Sequence, residues 1–358
     1  MRVLIAFALA AGIARAEVSL LRTPNEGIQP QAVVDQSGTI HLVYFKGDPR
    51  AGDLFYVHKG AKDGDFSKPL PVNSKSGTAI AVGTIRGAQV ALGKNGQLHV
   101  AWNGADGKAM FYTRLNDARN AFEPERNVMT WTGGLDGGGS VAADERGNVY
   151  VSWHGSAPDN KERESGRAVF VAKSRDEGKT FAKEVQANPT QTGACGCCGM
   201  KALAADDHLY LLYRAATKMT ARDMTLLVSD GGAFKECVVS KWTLGTCPMS
   251  SADLVKTPNG VVAAWEMEKG IGFSAADAAD LVTPSGIGKR KHPSLTQNAS
   301  GTVLLAWAEN SGWEKGGSLA WQLFQDKKPA GEVQRGGALP VWSMPSAVAV
   351  GEQFYIIY

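Results

Sequence analysis

The chain carries little of what would bind a polyanion or hold a bilayer. Lysine and arginine outnumber aspartate and glutamate only 38 to 35, and no long run of like charges occurs. A nucleic-acid surface and a polybasic membrane patch are therefore not expected. Beyond the first residues no stretch is long and apolar enough to span a membrane as a helix. Heptads, low-complexity tracts and an internal linker are also missing, which argues for one domain rather than two.

The exception stands at the N-terminus. Arg2 precedes an apolar run from Val3 to Ile13, and Ala14-Arg15-Ala16 has the small-x-small form of a cleavage site. Residues 1–16 read as a signal peptide and 17–358 as the exported domain, periplasmic or secreted. No cysteine sits at the cleavage point, so a lipid anchor is not indicated.

What the chain has in abundance is one repeated sentence. Asp144-Glu-Arg-Gly147 is a turn, and alternating residues then lead to Trp153. Gly38 leads in the same way to Tyr44, Gly96 to Trp102 and Gly301 to Trp307, each aromatic six residues after its glycine. Looser copies end at Tyr213, Trp265 and Tyr358. The copies stand roughly 50 residues apart, the period of a four-stranded propeller blade. Each has the grammar of a hairpin: an apolar strand, a turn of Asp, Asn and Gly, and a second strand alternating apolar and polar residues. The 42 glycines suit such a turn-dense fold. An all-β chain forming a single β-propeller is expected, with seven blades, or six if one copy is a stray hairpin. The C-terminal hairpin 346–358 should close the ring by joining the N-terminal strand 18–23.

A second signal lies between outer strands. Ser174-Arg-Asp176-Glu-Gly178-Lys-Thr180-Phe181 is a full Ser-x-Asp-x-Gly-x-Thr-Phe turn. Its Asp can accept bonds from its own turn, its Gly permits positive φ, and its aromatic can tuck under the hairpin. Partial versions occur at Asp63 to Phe66, Asn116 to Phe122 and Ser229 to Phe234. On these turns the chain resembles the BNR/Asp-box proteins, the sialidase-like β-propellers, over nearly all of its mature length.

The resemblance implies a top face where the loop entering each blade meets the loop following each second strand. Arg86, Asp136, His154, Arg214, Arg222, Glu266 and His292 fall there. A sialidase-like site holds a substrate carboxylate with arginines and moves a proton with a carboxylic acid. By that implication Arg86, Arg214, Arg222, His154 and His292 are candidate ligand-binding residues, and Glu266 and Asp136 candidate catalytic acids. The family's early Arg-Ile-Pro is absent; the region reads Thr23 to Pro30 without arginine. His41, His99, His58 and His208 read instead as structural residues of the blades.

The most unusual stretch is Gly193-Ala-Cys195-Gly-Cys197-Cys198-Gly-Met200, in the loop entering blade four. Cys247-Pro248-Met249 occupies the corresponding loop of blade five, and Cys237 lies on an outer strand. Three readings stand, in this order. Exported proteins form disulfides; thiolates with Met200, Met249 or a His could hold Cu(I) or Zn(II); and a redox role comes last, on the reading that the run departs from Cys-x-x-Cys. A bridge among Cys195, Cys197, Cys198 and Cys247 requires Cα atoms within about 7 Å.

The functional expectation is a propeller recognising a small molecule or glycan at its central opening, with possible sialidase-like glycoside hydrolase activity and no required cofactor. The alternative is a non-catalytic scaffold or partner-binding propeller, with a possible soft-metal site at Cys195, Cys197, Cys198 and Cys247. A monomer is expected.

Overall fold

The computed structural model describes residues 17–276 and 280–358; the signal-peptide reading of residues 1–16 lies outside them. Seven sheets follow one another along the chain. Blade 1 is built from Ile28–Val34, Ile40–Asp48, Ala51–Lys59 and Leu70–Pro71, and blade 2 from Gln89–Leu92, Leu98–Asn103, Met110–Arg114 and Arg126–Asn127. Blade 3 comprises Ser140–Ala143, Val149–Gly155, Ala168–Ser174 and Val185–Gln186; blade 4 comprises Lys201–Ala205, His208–Arg214, Met224–Ser229 and Lys235–Ser240. Blade 5 has three strands, Ala252–Thr257, Gly260–Met267 and Gly270–Ala275. Blade 6 runs Arg290–Gln297, Val303–Glu309, Gly317–Gln325 and Lys328–Pro329, with Gln334–Leu339 also on its third strand. Blade 7 is the hairpin Ser346–Val350 and Gln353–Ile357, completed by Val18–Leu21 from the other end of the chain. The chain is a seven-bladed, all-β propeller, closed as the sequence predicts.

The repeated aromatic explains why the blades associate. Each packs into the apolar cluster shared with the preceding blade: Trp102 between blades 1 and 2, Trp153 between 2 and 3, Tyr213 between 3 and 4. Trp265, Trp307 and Tyr358 fill the next three interfaces, and Tyr44 fills the one where blade 7 meets blade 1. Trp102, Trp153, Trp307, Tyr44 and Tyr213 are all at most 1% exposed. Truncating any of these tryptophans to alanine should cost about 3–5 kcal/mol, the usual price of a large core cavity. The aromatics are therefore core.

The Asp176 turn is locked by its own side chains. Ser174 Oγ donates to Asp176 Oδ1 (2.7 Å), and the Thr180 amide and hydroxyl donate to the two Asp176 oxygens at 2.8 and 2.6 Å. These bonds, the Thr180 ones foremost, hold the Asp176 carboxyl down near a pKa of about 2. Gly178 has φ +79°, and a Cβ there would collide with the Tyr112 hydroxyl of blade 2. Phe181 meets the same tyrosine edge-on, ring centroids 4.8 Å apart. The turn thus docks one blade on its predecessor.

The seven inner strands ring a central cavity of about 410 Å³. Its upper end is roofed rather than open. Ile85, 4% exposed, lies in the loop entering blade 2 and packs against Gly138 and Gly199 of the loops entering blades 3 and 4. Gln29 Nε2 donates to the carbonyls of Ala81 (2.6 Å) and Trp342 (2.9 Å), tying blades 1, 2 and 7 together above the axis. The central opening expected as the ligand site is covered by these loops.

Candidate functional site

The loop entering blade 4 is pinned by its own backbone. Cys195 N donates to Arg214 O (2.8 Å), Cys198 N to Cys195 O (3.2 Å) and Gly199 N to Ser250 O (2.8 Å). Those bonds fold three cysteines into one tight turn and dock it on the loop entering blade 5. Gly196 leaves room for the Arg167 guanidinium, which a Cβ there would displace from its place beside Asp136.

The result is a cluster of sulfur. Cys197 and Cys247 form a disulfide with Cα atoms 6.4 Å apart, within the reach the sequence reading required. Cys195 and Cys198 are free and buried. Cys195 Sγ lies 3.4 Å from Cys197 Sγ and 3.5 Å from Cys198 Sγ. Sulfurs of Cys195, Cys197 and Cys247 and a carboxylate oxygen of Glu164 all fall within 4.8 Å of one another. Cys237 is exposed on the outer strand of blade 4 and takes no part. The sequence reading of the run needs correcting: Cys195 and Cys198 are three residues apart, which is the Cys-x-x-Cys spacing, and their sulfurs face each other.

Several residues assigned to a carboxylate-binding rim converge on this cluster instead. Arg222 pairs with Glu164 at 2.8 Å. Arg214 donates to the carbonyls of Arg222 (2.8 Å) and Glu266 (2.7 Å) and lies over the Trp242 ring, 4.9 Å from its centroid. Both arginines are at most 4% exposed, so neither presents a fork to an outside ligand in this conformation. Burial opposes ionisation of Cys198, but the hydrogen bond with Cys195 and the Arg214 charge outweigh it and hold the thiol below its ordinary value. The same hydrogen bond, with burial, pushes Cys195 up. Of the pair, Cys198 is the more acidic.

Asp136 is clamped between Arg86 (2.7 Å) and Arg167 (2.9 Å). Burial raises its carboxyl, yet the two arginines prevail and hold it ionised, the opposite of a proton donor. Arg86 is spent on this clamp and on the carbonyls of Asp136 and Val82. Glu266 differs: burial pushes its pKa up against Lys291, Ser250 and Arg214. Lys291 Nζ stands 3.8 Å from its Oε1, and it is 7% exposed. His154 is fully buried, its pKa lowered by burial to about 4. His292 is lowered by burial to about 3, with Nδ1 3.2 Å from Ser251 Oγ on the blade 5 side.

Six of the fifteen buried side-chain polar atoms without hydrogen-bond partners among the described residues belong to residues that surround this loop cluster. They are both His154 nitrogens, Arg214 Nε, Arg222 Nε and Nη1, and Glu266 Oε2. A buried unpaired polar atom costs roughly 1–3 kcal/mol, so a bound water or ion beside these six would be stabilising. Sequence reasoning missed Glu164 and Arg167. Both lie in the long 156–167 connection of blade 3, which follows His154 directly and is rich in charge, the one signal that could have found them.

No protein-family model matches the chain, and no curated protein matches it. Solved structures do resemble it. An α-L-arabinofuranosidase from Fusarium graminearum aligns with a TM-score of 0.55 at 12% identity, over 88% of this chain and 98% of its own. A protein of unknown function from Dyadobacter fermentans aligns at TM-score 0.53 and 14% identity, over 90% and 96%. A Hadza microbial sialidase aligns at TM-score 0.51 and 12% identity, over 87% and 72%. At such identities the likeness is one of fold: this chain shares a propeller architecture with glycoside hydrolases.

Proposed function

We propose that the chain is an exported propeller that binds a thiophilic d10 cation, Zn(II) or Cu(I), in the cysteine cluster between blades 4 and 5. The observation that carries this reading is the convergence of Cys195, Cys197 and Cys247 with Glu164 inside 4.8 Å, with Cys198 against Cys195. When Cys197 and Cys247 are reduced, four thiolates become available. Soft sulfur donors select such ions over Mg(II) or Ca(II). Arg214 and Arg222 offset part of the negative charge that four thiolates would bury. The unpaired atoms of His154, Arg222 and Glu266 would serve as an outer shell that orients the ligands. Residues 1–16 support export; in an oxidising compartment the Cys197–Cys247 disulfide is the resting state, and metal uptake follows only after a thiol reductant opens it.

A second reading, glycan recognition on the top face by an Asp-box propeller, draws on the fold likeness to an arabinofuranosidase and a sialidase. Its specific observation is the surface beside Thr84 and Lys291, where Trp313 is 49% exposed next to Trp342 and could stack on a sugar. Glu266 and Asp136 remain its candidate acids, with Arg86, Arg214, Arg222, His154 and His292 around them. The geometry supports it less well, because Asp136 is neutralised by two arginines and Glu266 is buried.

The test is equilibrium binding under anaerobic reduction. The reduced wild-type chain should take up one Zn(II) or Cu(I) per chain, and Cys195→Ser or Cys198→Ser should lose at least tenfold in affinity while Cys237→Ser does not. Equal, weak binding by all four proteins would end the metal reading and leave the glycan one.

A further inference from the structure

We propose that the four cysteines also form a two-disulfide relay, in which the buried dithiol Cys195/Cys198 passes two electrons to the Cys197–Cys247 disulfide and, through Cys247, to a disulfide of a second molecule. The relay rests on the sulfur geometry and on the Cys197–Cys247 disulfide, so it operates in the oxidised, metal-free chain and its test does not depend on the metal reading.

The four sulfurs are ordered from inside to outside. Cys198 and Cys195 are buried, Cys197 is half-buried, and Cys247 reaches solvent. Each step along that line brings a nucleophile against its target. Cys195 Sγ is 3.4 Å from Cys197 Sγ, and Cys198 Sγ is 3.5 Å from Cys195 Sγ, both near van der Waals contact. Thiol–disulfide exchange requires this approach, together with a thiolate, an in-line path to the attacked sulfur and a good leaving thiolate.

The first step balances within the chain. Cys195 passes its proton across the 3.5 Å contact to the Cys198 thiolate, and the Cys195 thiolate so formed attacks Cys197 Sγ; the Cys195–Cys197 bond forms and the Cys197–Cys247 bond breaks. Cys247 leaves as a thiolate at the surface and takes up a proton. In the second step Cys198 releases that proton to solvent, and its thiolate attacks Cys195 Sγ. A Cys195–Cys198 bond forms, the Cys195–Cys197 bond breaks, and Cys197 leaves as a thiolate. No external oxidant is consumed: one disulfide and two thiols go in, and one disulfide and two thiols come out. The reducing equivalents have moved from a place no partner can reach to the pair that includes exposed Cys247. That outer dithiol can then reduce an exposed disulfide of a second molecule, reforming Cys197–Cys247 as the partner becomes a dithiol.

The surroundings suit a moving bridge. The Cys195 to Cys198 turn is held by backbone bonds to Arg214, Ser250 and Cys195 itself rather than by its sulfurs, so the bridge can migrate without releasing the loop. Cys247 precedes Pro248 and Met249, the latter at φ +48°, in a segment also held by Lys291 Nζ on the Pro248 carbonyl.

The experiment traps Cys247 whenever it is released. Full exported chain carrying Cys237→Ser, with its Cys197–Cys247 disulfide intact, is incubated under argon with iodoacetamide and no oxidant, and disulfides are mapped by mass spectrometry. The expected product has carboxamidomethyl groups on Cys197 and Cys247 and a Cys195–Cys198 disulfide. In Cys198→Ser the bridge should stop at Cys195–Cys197 with Cys247 alkylated, and in Cys195→Ser labelling of Cys247 should slow at least tenfold. An intact Cys197–Cys247 bridge throughout, with label absent or confined to Cys195 and Cys198, would overturn the relay. Because metal uptake is measured on the fully reduced chain, each idea can fail while the other stands.

Discussion

At the scale of single residues the histidines divide clearly. His99, which the sequence places on a second strand, is 1% exposed, with Nδ1 2.7 Å from the Tyr112 hydroxyl. Burial holds it neutral, its pKa lowered to about 3. In the unfolded chain the imidazole takes its proton near 6.5, so between these values the unfolded state binds more protons. Stability from this group is complete above about pH 6.5 and falls as the pH drops toward 3, by about 1.4 kcal/mol per unit. His99→Gln should be less stable at pH 7 but should lose stability more slowly on acidification, as chemical denaturation at pH 7, 6 and 5 would record. Parallel curves for wild type and variant would remove His99 from the acid response. His41 is a milder case, for Asp35 at 3.2 Å opposes the burial that lowers it.

At the scale of elements the repeat was readable because its causes are local. A glycine with positive φ, an alternating strand and a terminal aromatic are properties of about ten neighbouring residues, and Trp153 stands where that pattern puts it. The Asp176 turn was readable for the same reason, since Ser174, Asp176 and Thr180 bond one another. Gly178→Ala should therefore destabilise the chain by roughly 1–3 kcal/mol, from positive φ and from displacing Tyr112 of the neighbouring blade. Thermal unfolding with a Gly178→Ala midpoint equal to wild type would contradict that docking role. The candidate site was legible only in fragments. The Cys195–Cys247 proximity followed from adjacent entry loops, but nothing local says that Glu164 reaches across from blade 3. Nor does anything local say that Arg214 and Arg222 turn inward to backbone carbonyls and a carboxylate. The arginines, expected to clamp a ligand carboxylate, meet backbone carbonyls and Glu164 in this structure. Long-range pairing decides such things, and one sequence does not carry it.

At the scale of the whole molecule the ring makes the cluster rigid. Seven interfaces, each plugged by one aromatic, fix the entry loops against one another, and Val18–Leu21 pairing with Phe354–Ile357 closes the circle. On this frame the roof formed by Ile85, Gly138 and Gly199 covers the axis and leaves the sulfur site off-centre, above blades 4 and 5. A propeller read first as a glycan-binding ring thus presents its most reactive groups at a blade junction. The central claim is that those groups are metal ligands when reduced. X-ray absorption at the zinc edge of the reduced, Zn(II)-loaded chain measures it directly. The account expects a sulfur-dominated first shell near 2.3 Å, as cysteine ligation gives; a shell of nitrogen and oxygen near 2.0 Å, unchanged in Cys198→Ser, would contradict it.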